Sequence, residues 1–146
     1  MSPKAKSKSA SMQSLDWIYK MDALDVDSTR FVVGKGGKIA AKDAPATLRL
    51  HQNDIVAWFI TNASGEPITG EFTDFVIKLK KKKINPIGYT TTNPVMVNKG
   101  DTAVVYGAVT KKPENKFFPD FVKYTIRVTG ASFGTIDYDP DLEIKP

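Results

Sequence analysis

The strongest constraint in this sequence is a rhythm of two. Between residues 122 and 129, Val122, Tyr124, Ile126 and Val128 alternate with Lys123, Thr125, Arg127 and Thr129. In residues 47–51, Leu48 and Leu50 take one side while Thr47, Arg49 and His51 take the other. Successive side chains leave a strand on opposite faces, so such alternation marks strands with one face buried. Residues 55–60, IVAWFI, form a continuous apolar run, the pattern of a central strand covered on both sides. Further strands are expected at 29–33, 38–41, 75–80, 94–97, 102–109 and 142–144.

Turn signals separate these runs: Gly34-Lys35-Gly36-Gly37, Asp43-Ala44-Pro45, Asn53-Asp54, Asn62-Ala63-Ser64-Gly65, and Asn98-Lys99-Gly100-Asp101, the last expected as a hairpin. The total is roughly seven to nine strands at near-regular spacing, which predicts an all-β, single antiparallel Greek-key β-sandwich. The chain has 146 residues, the size of one domain. Residues 1–13, rich in Ser, Lys and Ala, have little to bury and are expected to form a disordered basic tail, leaving 14–146 as the domain. Residues 15–24, LDWIYKMDAL, carry two patterns. Trp17, Met21 and Leu24 fit a helix, with Ser14 as its cap, whereas Trp17, Tyr19 and Met21 alternate as in a strand. The β character of the chain from residue 29 onward tips the expectation toward a strand.

The order of the motifs resembles the cupredoxin-like β-sandwich. The resemblance rests on RFVVGKGGKIA, on PATLRLHQNDIVAWFITN, on VNKGDTAVV, and on VKYTIRVTG followed by the Asp-Pro of YDPDLEI. In the second stretch Asn53 stands where the family pattern has glycine. The resemblance implies a sandwich scaffold, and in electron-transfer members a copper held by two histidines and a cysteine. Here the ligands are missing: ASGEPITG follows Asn62, and VTKKPENKFFPDF precedes the last long strand. With no cysteine and one histidine, a thiolate–imidazole copper site cannot be built in one chain, and neither copper nor another cofactor is expected. The missing cysteine also excludes a disulfide framework and a thiol nucleophile.

The other chemical candidates are sparse. His51 sits near a strand end with no marked nucleophile and reads as a surface histidine. Asp137, Asp139, Asp141 and Glu143 have the alternate spacing that turns carboxylates toward a hard cation. Pro140 interrupts that spacing, and a solvated acidic segment is the simpler reading. Glu66, Glu71 and Asp74 could supply paired carboxylates for acid–base work, but they are expected in an ordinary polar connection. The turn GKGG lacks the following helix and the Lys-Ser/Thr ending of a phosphate cradle. Asn62-Ala63-Ser64 matches a glycosylation sequon. No apolar stretch is long enough to span a bilayer and no apolar segment follows the basic N-terminus, so a cytoplasmic protein with no membrane partner is expected.

The remaining candidates lie on the surface. Lys78, Lys80, Lys81, Lys82 and Lys83 form a run, and Phe117 and Phe118 lie in a polar loop. Lysines protect an edge strand against pairing, or join Lys4, Lys6 and Lys8 in contacting phosphates. The net charge is only +5. Residues 1–20 hold four lysines and one aspartate, and residues 131–146 hold four acids and one lysine, a polarity that favours contacts between copies. The expected function is therefore a non-catalytic structural or protein-interaction module, self-assembling with copies of itself. The alternatives are a carbohydrate or small-ligand module using Tyr89, Phe117 and Phe118, and a nucleic-acid binder using the lysines.

Overall fold

A computed structural model describes residues 27–42 and 47–146. The expectations for residues 1–13 and 15–24 lie outside the described residues. Twelve strands occur among the described residues: β1 (Asp27–Val33), β2 (Ile39–Lys42), β3 (Thr47–His51), β4 (Ile55–Asn62), β5 (Ile68–Ile77), β6 (Lys82–Lys83), β7 (Ile87–Tyr89), β8 (Val95–Val97), β9 (Thr102–Val109), β10 (Asp120–Gly130), β11 (Gly134–Tyr138) and β12 (Asp141–Lys145). The excess over the expected number comes from β6, β7 and β11, two of them too short to show a period.

Two sheets pack as a sandwich. One has the order β2-β1-β4-β9-β7; the other has β3-β12-β10-β5-β6, with β11 also on β10 and β8 also on β5. The chain passes repeatedly from sheet to sheet, so strands that follow one another in sequence seldom pair. Two ladders are parallel, β1 with β4 and β12 with β3, a departure from the purely antiparallel expectation. The turn at Asn98-Lys99-Gly100-Asp101 is likewise not a hairpin: β8 pairs with β5 and β9 with β4.

The interior gathers around Trp58. Its ring stacks on Phe72 at 4.8 Å, and its indole N–H donates to the Tyr124 hydroxyl at 2.9 Å. Tyr124 in turn stacks on Phe75 at 5.2 Å. Burial pushes the Tyr124 phenol well above its ordinary value, since no water is near to solvate a phenolate. The core residues expected from the sequence patterns are buried with the exception of Leu79: Val56, Trp58, Leu48, Leu50, Phe75, Ile77, Tyr124, Ile126 and Val128 lie inside the sandwich. Phe59 and Val104 are buried too, but with Ala57 and Tyr106 in a separate cluster.

The stretch 71–83 departs furthest from expectation. The strand begins at Ile68, so Glu71 and Asp74 belong to β5 and not to a connection. Asp74, at φ +55°, and Phe75 together face the single residue Tyr124, which makes a β-bulge. The bulge shifts the inward phase, so Ile68 and Phe72 point inside before it and Phe75 and Ile77 after it. The strand then stops at Ile77. Lys78, Leu79, Lys80 and Lys81 form a turn, with Lys81 at φ +52°, and Leu79 is exposed instead of facing the core. The glycine turn after β1 behaves as expected, with Gly36 and Gly37 at φ +71° and +81° joining the antiparallel strands β1 and β2. Asn53 stands at φ +76° in the turn between β3 and β4, a region that asparagine tolerates better than most side chains do.

Candidate interaction surface

The turn after β5 and the loop after β9 meet at one end of the sandwich. The Lys78 backbone N–H donates to the Phe121 carbonyl at 2.8 Å, which fixes the turn to the start of β10. Lys82 reaches Glu114 of the loop at 2.7 Å, and Lys80 bonds the other oxygen of the same carboxylate. Hydrogen bonds from these two ammonium groups hold the Glu114 carboxyl down at about 2, and the same contact raises Lys82. Asn115 caps the next turn by accepting from the Phe117 N–H at 2.8 Å. The loop leaves Phe117 and Phe118 74% and 65% exposed, and at the same end Leu79 of the turn is 86% and Phe121 of β10 45% exposed. The Lys116 ammonium stands 5.4 Å over the Phe117 ring.

All seven residues expected to serve interaction thus fall on this end. Lys78 pairs with Asp141 at 3.5 Å, while Lys81 and Lys83 have no ion pair among the described residues. Lys111, Lys112 and Lys116 add further exposed cations from the loop. Leu79 was not evident from the sequence as a surface residue. Alternation assigned Leu79 inward, and only the end of β5 at Ile77 turns it out.

Elsewhere the sequence candidates separate. Each member of the acidic segment has its own partner: Asp137 bonds Arg127 at 2.9 Å, Asp139 accepts from Thr125 at 2.8 Å, and Glu143 meets Arg49 at 3.4 Å. The Arg127 guanidinium holds the Asp137 carboxyl below its usual range. No cluster able to hold a metal ion occurs among the described residues. Glu66 accepts from the Ser132 N–H at 2.9 Å and from the Ser132 hydroxyl, which lowers its carboxyl. Glu71 and Asp74 line an open cleft of about 410 Å³ at the edge of β5, with Thr73, Lys83, Asn85 and Asn93. Asn93 closes part of that edge, its amide bonding both the N–H and the carbonyl of Phe72 at 2.9 Å. His51 is exposed, 3.6 Å from Asp54. Tyr89 does not join the loop aromatics. It is half-buried against the core, donates to the Phe72 carbonyl at 3.2 Å, and burial pushes its phenol up to about 12.

Asn62 has a role that sequence reasoning did not find. Fully buried, its amide donates to the Glu66 and Val97 carbonyls at 2.7 and 3.0 Å and accepts from the Ser64 N–H and hydroxyl. It ties three segments together, and its burial leaves the sequon no accessible nitrogen. No helix among the described residues is long and apolar enough to cross a membrane.

No family model matches the chain, and no curated protein matches it. Solved structures do resemble it. The CupB2 chaperone of Pseudomonas aeruginosa aligns with a TM-score of 0.56 at 15% identity, over 70% of this chain and 54% of that one. The CsuC–CsuE chaperone–tip adhesion subunit pre-assembly complex, from archaic chaperone-usher Csu pili of Acinetobacter baumannii, aligns with a TM-score of 0.56 at 8% identity, over 69% and 49%. The chain spans about half the length of these chaperones. A purple cupredoxin from Nitrosopumilus maritimus covers 80% of this chain at 16% identity, but its TM-score of 0.35 carries no argument about the fold. The class is a β-sandwich, and at these identities the likeness is one of fold.

Proposed function

We propose that this domain is a non-catalytic protein-interaction module whose working surface is the lysine-rimmed aromatic end. The observation that carries the reading is that Leu79, Phe117, Phe118 and Phe121 are all exposed, on a turn and a loop that the Lys82–Glu114 and Lys78–Phe121 bonds bring to one end among lysines. Scattered exposed apolar residues need no explanation, but several large ones gathered together mark contact surfaces. Aromatic anchors supply most of the energy of such contacts, and a charged rim steers the approach. The chaperone neighbours lend support, because one of them was solved with a pilus subunit bound.

A second copy of the chain is the partner we put first, since most soluble assemblies are built from identical chains. The acidic segment is a poor counterpart for the lysines, because its carboxylates already have cations in the same chain. Contact between copies would therefore rest on the aromatics and persist in high salt. The test is mass in solution by light scattering on a sizing column, at low and high salt, for the full chain and for the Phe117→Ser/Phe118→Ser variant. A salt-resistant oligomer that weakens about 30-fold or more in the variant supports the reading, the size expected when an anchor worth about 2 kcal/mol is lost. A monomer in every condition overturns self-assembly. Retention on heparin that falls steeply with salt would then favour the nucleic-acid alternative.

A further inference from the structure

The edge of β5 that faces away from β10 has no strand along its middle. β8 pairs with residues 68–70 and β6 with residues 76 and 77, so residues 71–75 have no ladder on that side. The opening is the cleft of about 410 Å³ lined by Glu71, Thr73, Asp74, Lys83, Asn85 and Asn93. Its size suits a small ligand. Its backbone floor is already satisfied. The Asn93 side chain accepts from the Phe72 N–H and donates to the Phe72 carbonyl, as a neighbouring strand would, and the Ile84 N–H donates to the Phe75 carbonyl at 3.0 Å. A strand added from another chain would find these groups taken, so an occupant is held by side chains.

Those side chains carry opposite charges that do not cancel. Glu71 and Lys83 line the same cleft, yet neither has an ion pair among the described residues. Arg127 stands opposite Glu71 in the ladder, but its guanidinium is engaged by Asp137 at 2.9 and 3.1 Å and by Asp74 at 3.3 Å. Asp74 is thereby neutralised and Glu71 is left unmet. We propose that this cleft binds a short peptide with free ends, its ammonium against Glu71 and its carboxylate against Lys83. Lys83 lies opposite Val76, five residues on from Glu71. At about 3.3 Å per residue, less the one spent in the bulge, the two backbones stand roughly 13 Å apart along the strand. A free amino acid is too short to touch both charges, whereas about two or three residues at roughly 3.3–3.6 Å each span the gap left once both side chains lean in. Thr73 lies between them along β5, and its hydroxyl, without a partner among the described residues, can donate to or accept from a peptide amide. None of Leu79, Phe117, Phe118 and Phe121 lines this cleft, so the site stands apart from the aromatic end.

Titration of the full chain with triglycine, followed by backbone amide NMR shifts, tests the proposal. The expected result is saturable shifts at residues 71–75 and 83–85. Glycine and N-acetyl-triglycine amide should bind about 10-fold more weakly or worse, the effect of losing one charge-assisted contact. Glu71→Gln and Lys83→Gln should each weaken triglycine to the same degree, while Lys99→Gln, the same charge change outside the cleft as Lys83→Gln, leaves it unchanged. If a cleft variant does not fold, the comparison of free and end-blocked triglycine on the wild type decides. Absence of saturable shifts up to about 20 mM triglycine, beyond the reach of a millimolar site, overturns the proposal. Equal binding of the end-blocked peptide overturns it too, since the two charges would then play no part. Shifts at the cleft with maltotriose and none with triglycine overturn it and assign the cleft to a carbohydrate.

Discussion

The two sheets turn opposite kinds of outer face away from the shared core. On the seven-stranded sheet the outward positions of β10 are Lys123, Thr125, Arg127 and Thr129, each met by a polar neighbour. Lys123 lies 3.6 Å from Asp139, Arg127 lies 2.9 Å from Asp137, and the hydroxyls of Thr129 and Thr135 are 3.2 Å apart. On the five-stranded sheet the equivalent positions of β4 and β9 are Ala57, Phe59, Val104 and Tyr106. The polar face is a ladder of cross-strand pairs in water, each contributing little but helping to fix register. The apolar face contributes by burial, which grows with the area removed from water. Stability should therefore be far more sensitive to change on the second face.

The largest effect is expected from Phe59→Asp. It places an unpaired charge in a buried apolar cluster and should cost about 3–5 kcal/mol, read as a lower urea midpoint. A midpoint within error of wild type would mean that the face is open and the comparison wrong. Arg127→Ala, the counterpart on the polar face, removes ion pairs to Asp137 and Asp74. Only a small loss is expected, and it should vanish when both proteins are unfolded at high salt. A loss as large as that of Phe59→Asp would show the ladder to be structural.

The smallest effect is the acid limb. Asp137, Glu66 and Glu114 are held below their ordinary values by hydrogen bonds from partners, so the unfolded chain binds more protons than the folded one in acid. Their contribution is present above about pH 4.5 and is lost as the pH falls toward 2, where Glu114 titrates. Arg127→Ala should flatten the part of this limb that Asp137 supplies, leaving the part due to Glu114. Denaturant midpoints across that range, for the two proteins side by side, check the sign.

Much of the sandwich was legible because alternation is a local signal. In β10 one face is solvated, so the period shows cleanly, and β12 was found for the same reason, whereas β9 showed as an apolar run between turn signals. The signal failed at β5, where the bulge at Asp74 breaks the period and the strand ends before its lysines. It failed for β7, where three residues are too few to show a rhythm. At the candidate surface the residue types were readable, since lysines and a Phe-Phe pair in a polar loop are unusual. Their meeting was not, because it rests on Glu114 bonding lysines 32 and 34 residues away.

By itself, then, the sequence determined the all-β class, most strand positions, the inward residues of the sandwich and the absence of a thiolate copper site. Each follows from composition or from a pattern within a few neighbouring residues. Only the tertiary structure decided that Phe59 and Val104 are buried in a cluster apart from the sandwich interior, that Asn62 is a buried hub, and that the lysine turn and the Phe117–Phe118 loop share one end. Those outcomes depend on which distant strands pair and on where a strand stops, and pairing across a sandwich is set by the packing of the whole chain.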